Sequence, residues 1–145
     1  MSRIQDDLNA LLADQQVLYQ KLRSFHWNVT GPLFFALHDK FEELYTQSAE
    51  RIDALAERLR AKEARPLGTL REALDLSRLE EDSGITDPNG MVRAVADDFA
   101  RMGTELRAAA GRAEEADDPA TFNLLEGWAD EDEKTLWMLR AYLAA

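Results

Sequence analysis

One segment, residues 25–58, constrains the fold and the chemistry of this chain more than any other. It contains both histidines of the protein, His26 and His38, and no proline or glycine occurs from residue 33 to about residue 62. Apolar or small side chains recur there every three or four positions, at Leu37, Phe41, Leu44, Tyr45, Ser48, Ile52, Leu55, Ala56 and Leu59. This spacing predicts a long amphipathic helix that packs one side against a core.

Four side chains that can bind metal share one narrow face of this predicted helix. At about 100° per residue, Glu42, Asp53 and Glu57 fall within about 100° of His38, beside the apolar stripe rather than inside it. The pair 38/42 and the pair 53/57 lie about 16 Å apart along the helix axis, which is too far for one metal cluster. If a second copy of the helix packs antiparallel across a twofold axis, the first pair of one chain meets the second pair of the other, and two identical sites form.

His26 is expected to join this set of ligands. A turn at residues 30–32, Thr-Gly-Pro, reverses the chain after the first helix, so His26 and His38 lie near the same end of a helical hairpin. Two imidazoles and three carboxylates suit iron, manganese or zinc. The chain has no cysteine, so nitrogen and oxygen are the only ligand atoms that this site can use.

The spacing also has a simpler interpretation. A histidine on a helix is usually a surface residue or a residue whose hydrogen bonds are satisfied locally. The three carboxylates could likewise form a solvated face, paired with Arg51, Arg58 or Lys40. The residues by themselves leave both interpretations open.

The rest of the chain contains patterns for three further long helices and one short helix. The predicted helices are 3–27, 33–62, 70–78, 88–115 and 119–143. Thr69 begins a capping-box pattern, and Asp87 and Asp118 each precede a proline, which is typical of the first turn of a helix. One long connection, between the second and third long helices, predicts a single-domain helical bundle over residues 1–145.

The sequence HWNVTGPLFFALHDKFEELY, followed by DALAER, resembles the signature of the Dps family, the mini-ferritins. The shared elements are a His-Trp pair, a second histidine twelve residues later, an acid four residues further on, and Asp-x-x-x-Glu-Arg. The resemblance implies an all-α, ferritin-like four-helix bundle with a short extra helix in the long connection. Ordinary ferritins use Glu-x-x-His motifs inside one bundle, and neither histidine here has a glutamate three residues earlier.

The resemblance also implies a di-iron ferroxidase site between two subunits. His26, His38 and Glu42 would come from one chain, and Asp53 and Glu57 from its partner. The family more often has aspartate at the position of Glu42, so this site departs from the usual pattern by one methylene group.

The resemblance also implies roles for several other residues. Trp27 is by default a core aromatic, but in the family a tryptophan here lies beside the di-iron site as a radical trap. Asp39 and Glu43 are candidates for mineral nucleation. Asp118 matches an acidic pore region of the family, whereas Asn123 stands where an acid is often found.

The function that follows is iron storage and detoxification. The resemblance implies that Fe(II) is oxidised, with hydrogen peroxide preferred over dioxygen, and that the Fe(III) mineral is stored in a hollow homo-oligomer of twelve subunits. Zinc and manganese are the other metals that the same ligands suit. Two rivals stay open, namely a nucleoid-associated protein that protects DNA by coating it, and a helical scaffold that holds zinc without redox chemistry.

Charge and composition favour the iron-storing alternative. The formal net charge is −11, which opposes nonspecific DNA binding, and Arg3 is the sole early cation, so we expect no Lys-rich N-terminal tail. No apolar run is long enough to cross a bilayer, and the N-terminus does not resemble a signal peptide. We therefore expect a cytoplasmic protein that binds neither membranes nor DNA.

Overall fold

The computed structural model describes residues 1–144, and these residues form five α-helices and no strand. The helices are α1 (Arg3–Asn28), α2 (Phe34–Ala61), α3 (Leu70–Leu76), α4 (Pro88–Glu115) and α5 (Pro119–Leu143). The predicted all-α bundle with a short extra helix is confirmed. The predicted turn that contains Pro32 precedes α2, and the helix begins one residue later than predicted, at Phe34. None of the helices within residues 1–144 is both long and apolar enough to span a membrane.

The starts of the last two helices are fixed by aspartate caps. The Asp87 carboxylate accepts a hydrogen bond from the Gly90 N–H at 2.9 Å, and the Asp118 carboxylate accepts one from the Thr121 N–H at 3.2 Å. In both helices a proline occupies the first turn, where its missing N–H is not needed. A cap of this kind stabilises a helix by about 1 kcal/mol, so the two Asp-Pro pairs locate these helix starts.

Two antiparallel hairpins, α1–α2 and α4–α5, make up the bundle. Arg112 binds Asp7 at 2.7 Å and Lys21 binds Asp98 at 2.9 Å, so α4 runs antiparallel to α1. It follows that α2 and α4 are parallel. The connection between them, residues 62–87, therefore runs the length of the bundle, and it carries α3 against α1.

The core consists of two apolar clusters with a polar layer between them. Their largest fully buried members are Phe25, Phe41, Phe99, Leu18, Leu22, Met91 and Met102 in one cluster, and Leu8, Leu11, Leu12, Leu55 and Leu59 in the other. On α2, Arg51 lies between these clusters and binds Asp132 of α5 at 2.8 Å, with both side chains buried. The end of the α1–α2 hairpin that carries His26 and His38 lies beside the first cluster, which contains Phe25 and Phe41.

Candidate metal centre

The hairpin brings the two histidines into direct contact. His26 is in the last turn of α1 and His38 is in the second turn of α2, and their rings stack with centroids 3.7 Å apart and planes 14° from parallel. The Nδ1 atom of each imidazole lies 2.8 Å from the backbone carbonyl oxygen of the other histidine. The two rings therefore hold each other through a reciprocal pair of side-chain to backbone hydrogen bonds.

This reciprocal pairing determines which nitrogen of each ring is available. A carbonyl oxygen can only accept a hydrogen bond, so the proton of each neutral imidazole must lie on Nδ1. The lone pair is then on Nε2 in both rings. In metal-binding histidines, a backbone carbonyl commonly accepts a hydrogen bond from Nδ1–H, which leaves Nε2 free to bind the metal.

Glu42 lies next to these rings, as the sequence predicts. Its Oε1 atom is 3.8 Å from His26 Nε2, and its side chain is 57% exposed, so the carboxylate has room to move onto a metal ion. His26, by contrast, is almost completely buried. The structure thus brings His26, His38 and Glu42 to one place at the end of the hairpin.

Tyr45 is a neighbour of the site that the sequence pattern did not indicate. Its phenol oxygen lies 3.4 Å from Glu42 Oε1, and its ring meets the His26 ring edge-on at 5.3 Å between centroids. Desolvation, followed by the negative charge of Glu42, raises the pKa of the Tyr45 phenol. In the sequence this residue is only one member of the apolar stripe, and its spacing of three from Glu42 is the single signal that could have identified it.

Asp53 and Glu57 lie one turn apart on the same exposed surface of α2, but they do not reach the histidines within one chain. Neither side chain forms a hydrogen bond or an ion pair with any of residues 1–144. No group of three or more His, Asp or Glu side chains in this part of the chain is close enough to hold one metal ion. A single protomer therefore presents the predicted ligands as two separate surface groups.

The cations that the sequence offers as partners for these acids do not bind them. Arg51 binds Glu131 and Asp132, Arg58 binds Asp118, and Lys40 binds Glu43. The three cations that could have neutralised the ligand-type carboxylates are therefore engaged elsewhere. Glu42, Asp53 and Glu57 keep an unbalanced negative charge on α2.

Trp27 is not a core residue, so its default interpretation as a core aromatic is wrong. The side chain is 56% exposed, and the Arg23 guanidinium lies over its ring at 4.8 Å from the centroid. Phe25 and His26 are both buried, and the next residue lies about 100° further around the helix, so Trp27 falls outside the buried face. Trp27 thus lies on the surface beside the histidine pair.

The remaining predicted residues lie outside this cluster. Asp39 and Glu43 are exposed on α2, and Glu43 binds Lys40 at 3.0 Å. Asp118 caps α5 and also accepts hydrogen bonds from Arg58 at 2.9 Å and Lys62 at 2.7 Å. Burial opposes its ionisation, but the hydrogen bonds from Lys62 and Thr121 outweigh burial and hold the pKa of Asp118 well below its ordinary value.

Comparison with known proteins identifies the family. A model of the ferritin-like domain matches residues 5–145. The chain is 46% identical to DNA protection during starvation protein 2 of Bacillus anthracis over 136 residues, which cover 94% of this chain and 93% of the relative.

Solved structures agree with this result. Dps from Staphylococcus aureus superposes with a TM-score of 0.96 at 37% identity, covering 98% of this chain and 95% of that one. The Dps protein of Vibrio cholerae O1, described as a member of a broad superfamily of ferritin-like diiron-carboxylate proteins, gives a TM-score of 0.95 at 36% identity, covering 98% and 89%. The chain therefore belongs to the Dps family of ferritin-like proteins.

Proposed function

We propose that this protein is a ferroxidase and an iron store. Fe(II) would bind where His26, His38 and Glu42 of one protomer face Asp53 and Glu57 of its partner, and it would be oxidised there. The Fe(III) product would be stored as mineral inside a hollow homo-oligomer of twelve subunits. Iron is the substrate in this proposal.

The observation that carries the proposal is the reciprocal hydrogen bonding of the two imidazoles. Each Nδ1 is bound to a backbone carbonyl at 2.8 Å, so both rings are oriented before any ion arrives and both offer Nε2. The stacked pair of rings also has a carboxylate beside it, with Glu42 Oε1 3.8 Å from His26 Nε2. This arrangement is expected of metal ligands that are preorganised before the ion binds.

The separation of the ligand groups supports a site shared between two chains. Within residues 1–144 the acids at 53 and 57 have no partners, and Glu42 is the one carboxylate within 4 Å of a histidine side-chain nitrogen. An antiparallel twofold contact along α2 would unite the two groups and would form two equivalent sites per pair. The combined set has two nitrogen and three carboxylate ligands, which suits iron and also manganese or zinc.

The chemistry at such a site is a two-electron transfer. Two Fe(II) ions each lose one electron, and one hydrogen peroxide molecule takes both electrons together with two protons. Its O–O bond breaks and two water molecules form. Passing both electrons to one oxidant avoids the hydroxyl radical that a single-electron step would release, and dioxygen is the alternative oxidant.

Acidic side chains would attract iron ions to the site and would nucleate the mineral. The net charge of −11 attracts cations to the protein as a whole. Asp39 and Glu43, exposed next to the ligands, are the proposed nucleation residues. Asp118 remains a proposed contributor to an entry pore, although in one protomer its carboxylate is already bound to Arg58 and Lys62.

The two rival functions make different predictions. A zinc-holding scaffold would bind metal at the same ligands but would consume no peroxide. A DNA-coating protein is suggested by the name of the Bacillus anthracis relative. The acidic charge of this chain opposes that role, because DNA binding rests on neutralising phosphates with Lys and Arg.

The decisive experiment adds Fe(II) anaerobically and then hydrogen peroxide. We expect a fast rise in ferric absorbance with about one peroxide consumed per two Fe(II). Glu57→Gln should slow the rise by about tenfold or more, because a neutral amide is a poor substitute for a carboxylate ligand. Glu114→Gln is the matched control, since Glu114 is exposed on α4 and its side chain has no partner within residues 1–144.

An unchanged rate in Glu57→Gln would remove Glu57 from the site. Metal binding without peroxide consumption in the unmodified protein would instead favour the zinc scaffold.

A further inference from the structure

Tyr45 contacts both kinds of ligand at the histidine end of the site. It follows Glu42 by three residues on α2, and its phenol oxygen is 3.4 Å from Glu42 Oε1. Its ring edge packs against the His26 ring with an angle of 82° between the planes. It is therefore in contact with a carboxylate and an imidazole that the proposed function uses.

The position of the Tyr45 ring is set by packing and not by the hydroxyl group. Tyr19 on α1 meets the ring edge-on, with centroids 5.9 Å apart and planes at 86°. The ring also packs against the apolar cluster that contains Phe25 and Phe41. A phenol held in this way presents its O–H at a fixed place near Glu42.

Glu42 needs such a contact more than an aspartate would. Its side chain is 57% exposed, and within residues 1–144 its carboxylate is near only His26 Nε2 and the Tyr45 hydroxyl. Fixing a glutamate side chain costs rotamer entropy. A hydroxyl that donates to a carboxylate typically lies at about 2.7 Å, so a small rotation of Glu42 toward Tyr45 completes the hydrogen bond.

We propose that Tyr45 is a positioning residue of the metal centre, whose phenol holds the Glu42 carboxylate beside Nε2 of His26. This inference rests on the proposed function, because it concerns the same site. It explains how the chain accommodates glutamate where its family more often has aspartate. The extra methylene lets the carboxylate reach the phenol of Tyr45, which then limits the freedom that the methylene adds.

The test is a Co(II) titration, followed by visible absorbance, on the assembled protein and its variants. Co(II) serves as a metal probe that reports binding without turnover. Tyr45→Phe keeps the ring packing and removes only the hydroxyl, and we expect Co(II) to bind about tenfold more weakly. Tyr19→Phe is the matched control, because it removes a neighbouring phenol hydroxyl that has no hydrogen bond within residues 1–144, and its affinity should equal that of the unmodified protein.

A double-mutant cycle separates positioning from packing. In the E42D background the carboxylate is too short to reach the phenol, so Y45F should cause no further loss. If Y45F weakens binding equally in both backgrounds, or if it has no effect in either, the inference about Tyr45 is wrong. If the unmodified protein binds no Co(II), or if Glu57→Gln leaves Co(II) affinity unchanged, the proposed site itself fails.

Discussion

The buried ion pair between Arg51 and Asp132 makes the stability of this protein depend on pH in a way that can be calculated. Only 3% of Arg51 and 1% of Asp132 are exposed, and Arg51 Nη1 lies 2.8 Å from Asp132 Oδ1. Burial raises the pKa of Asp132 from 3.8 to about 6, against the opposing charge of Arg51. Because one pKa unit corresponds to about 1.4 kcal/mol, ionising this carboxyl costs the folded state about 3 kcal/mol more than it costs the unfolded chain.

The direction in which the free energy of unfolding changes with pH follows from proton binding. Between pH 3.8 and about 6 the folded protein binds more protons at Asp132 than the unfolded chain does, so this group's contribution to the free energy of unfolding falls as pH rises. Above about pH 6 the contribution is constant, because Asp132 is ionised in both states and Arg51 compensates its charge.

Replacing Arg51 with methionine should extend this decline to higher pH. Without the guanidinium the pKa of Asp132 rises further, so the free energy of unfolding should keep falling by about 1.4 kcal/mol per pH unit above pH 6. We expect a loss of about 3 to 5 kcal/mol at pH 8 relative to the unmodified protein, and a clearly smaller loss at pH 5, where the lone carboxyl is neutral.

Urea unfolding followed by circular dichroism, at one fixed protein concentration, measures both values. Glu131→Gln is the control. This variant removes the other partner of Arg51. Because the Glu131 side chain is 56% exposed, the change should lower the free energy of unfolding by less than about 1 kcal/mol at either pH. Equal losses for Arg51→Met at pH 5 and pH 8 would refute the reasoning.

Two further predictions concern charge and capping. At a net charge of −11, the assembled protein should not retard duplex DNA at physiological salt in the presence of EDTA, which removes bridging cations, and clear retardation would contradict this. Asp118→Ala should lower the free energy of unfolding at pH 7 by about 2 kcal/mol, because it removes the cap of α5 and the anion between Arg58 and Lys62. The depressed pKa of Asp118 means that this contribution is present above the pKa of the unfolded chain and is lost as pH falls toward the folded value. Asp130→Ala, at an exposed position on the same helix, is the control and should change the free energy of unfolding little. If Asp118→Ala is as stable as the unmodified protein, the cap does not contribute to stability.

The helices could be predicted from the sequence because their signals are local. Asp87 before Pro88 and Asp118 before Pro119 mark helix starts through contacts that span only three residues. The face shared by His38, Glu42, Asp53 and Glu57 follows from the fixed rotation of an α-helix. Neither inference needs knowledge of the tertiary structure.

The features that sequence reasoning missed depend on contacts between distant residues. The pairing of Arg51 with Asp132 joins positions 81 residues apart, and the exposure of Trp27 depends on which face of α1 the other helices cover. The exchange of Nδ1 hydrogen bonds between the histidines is likewise a property of two helix ends in contact. A pattern along one helix contains no information about any of these contacts.

The proposed site also depends on an arrangement that one chain cannot contain. The two ligand pairs on α2 are 11 residues apart, or about 16 Å along the helix axis, and no group of three ligand-type side chains within residues 1–144 is placed to hold one metal ion. The central claim is therefore that each metal centre needs two protomers. It can be tested with variants that each damage a different half.

One variant carries His26→Ala and His38→Ala, and the other carries Asp53→Ala and Glu57→Ala. Each alone should oxidise no Fe(II) above background, because every site lacks one half. Size-exclusion chromatography of each refolded variant and of the mixture provides the control that both assemble.

The most direct measurement is the ferroxidase activity after the two variants are unfolded and refolded together. In a mixed twofold pair one site combines both damaged halves and the other combines both intact halves. Random pairing makes about half of the pairs mixed, so activity should return to about a quarter of that of the unmodified protein. Assembly and mixing without any return of activity would contradict the claim and would locate the site within a single chain.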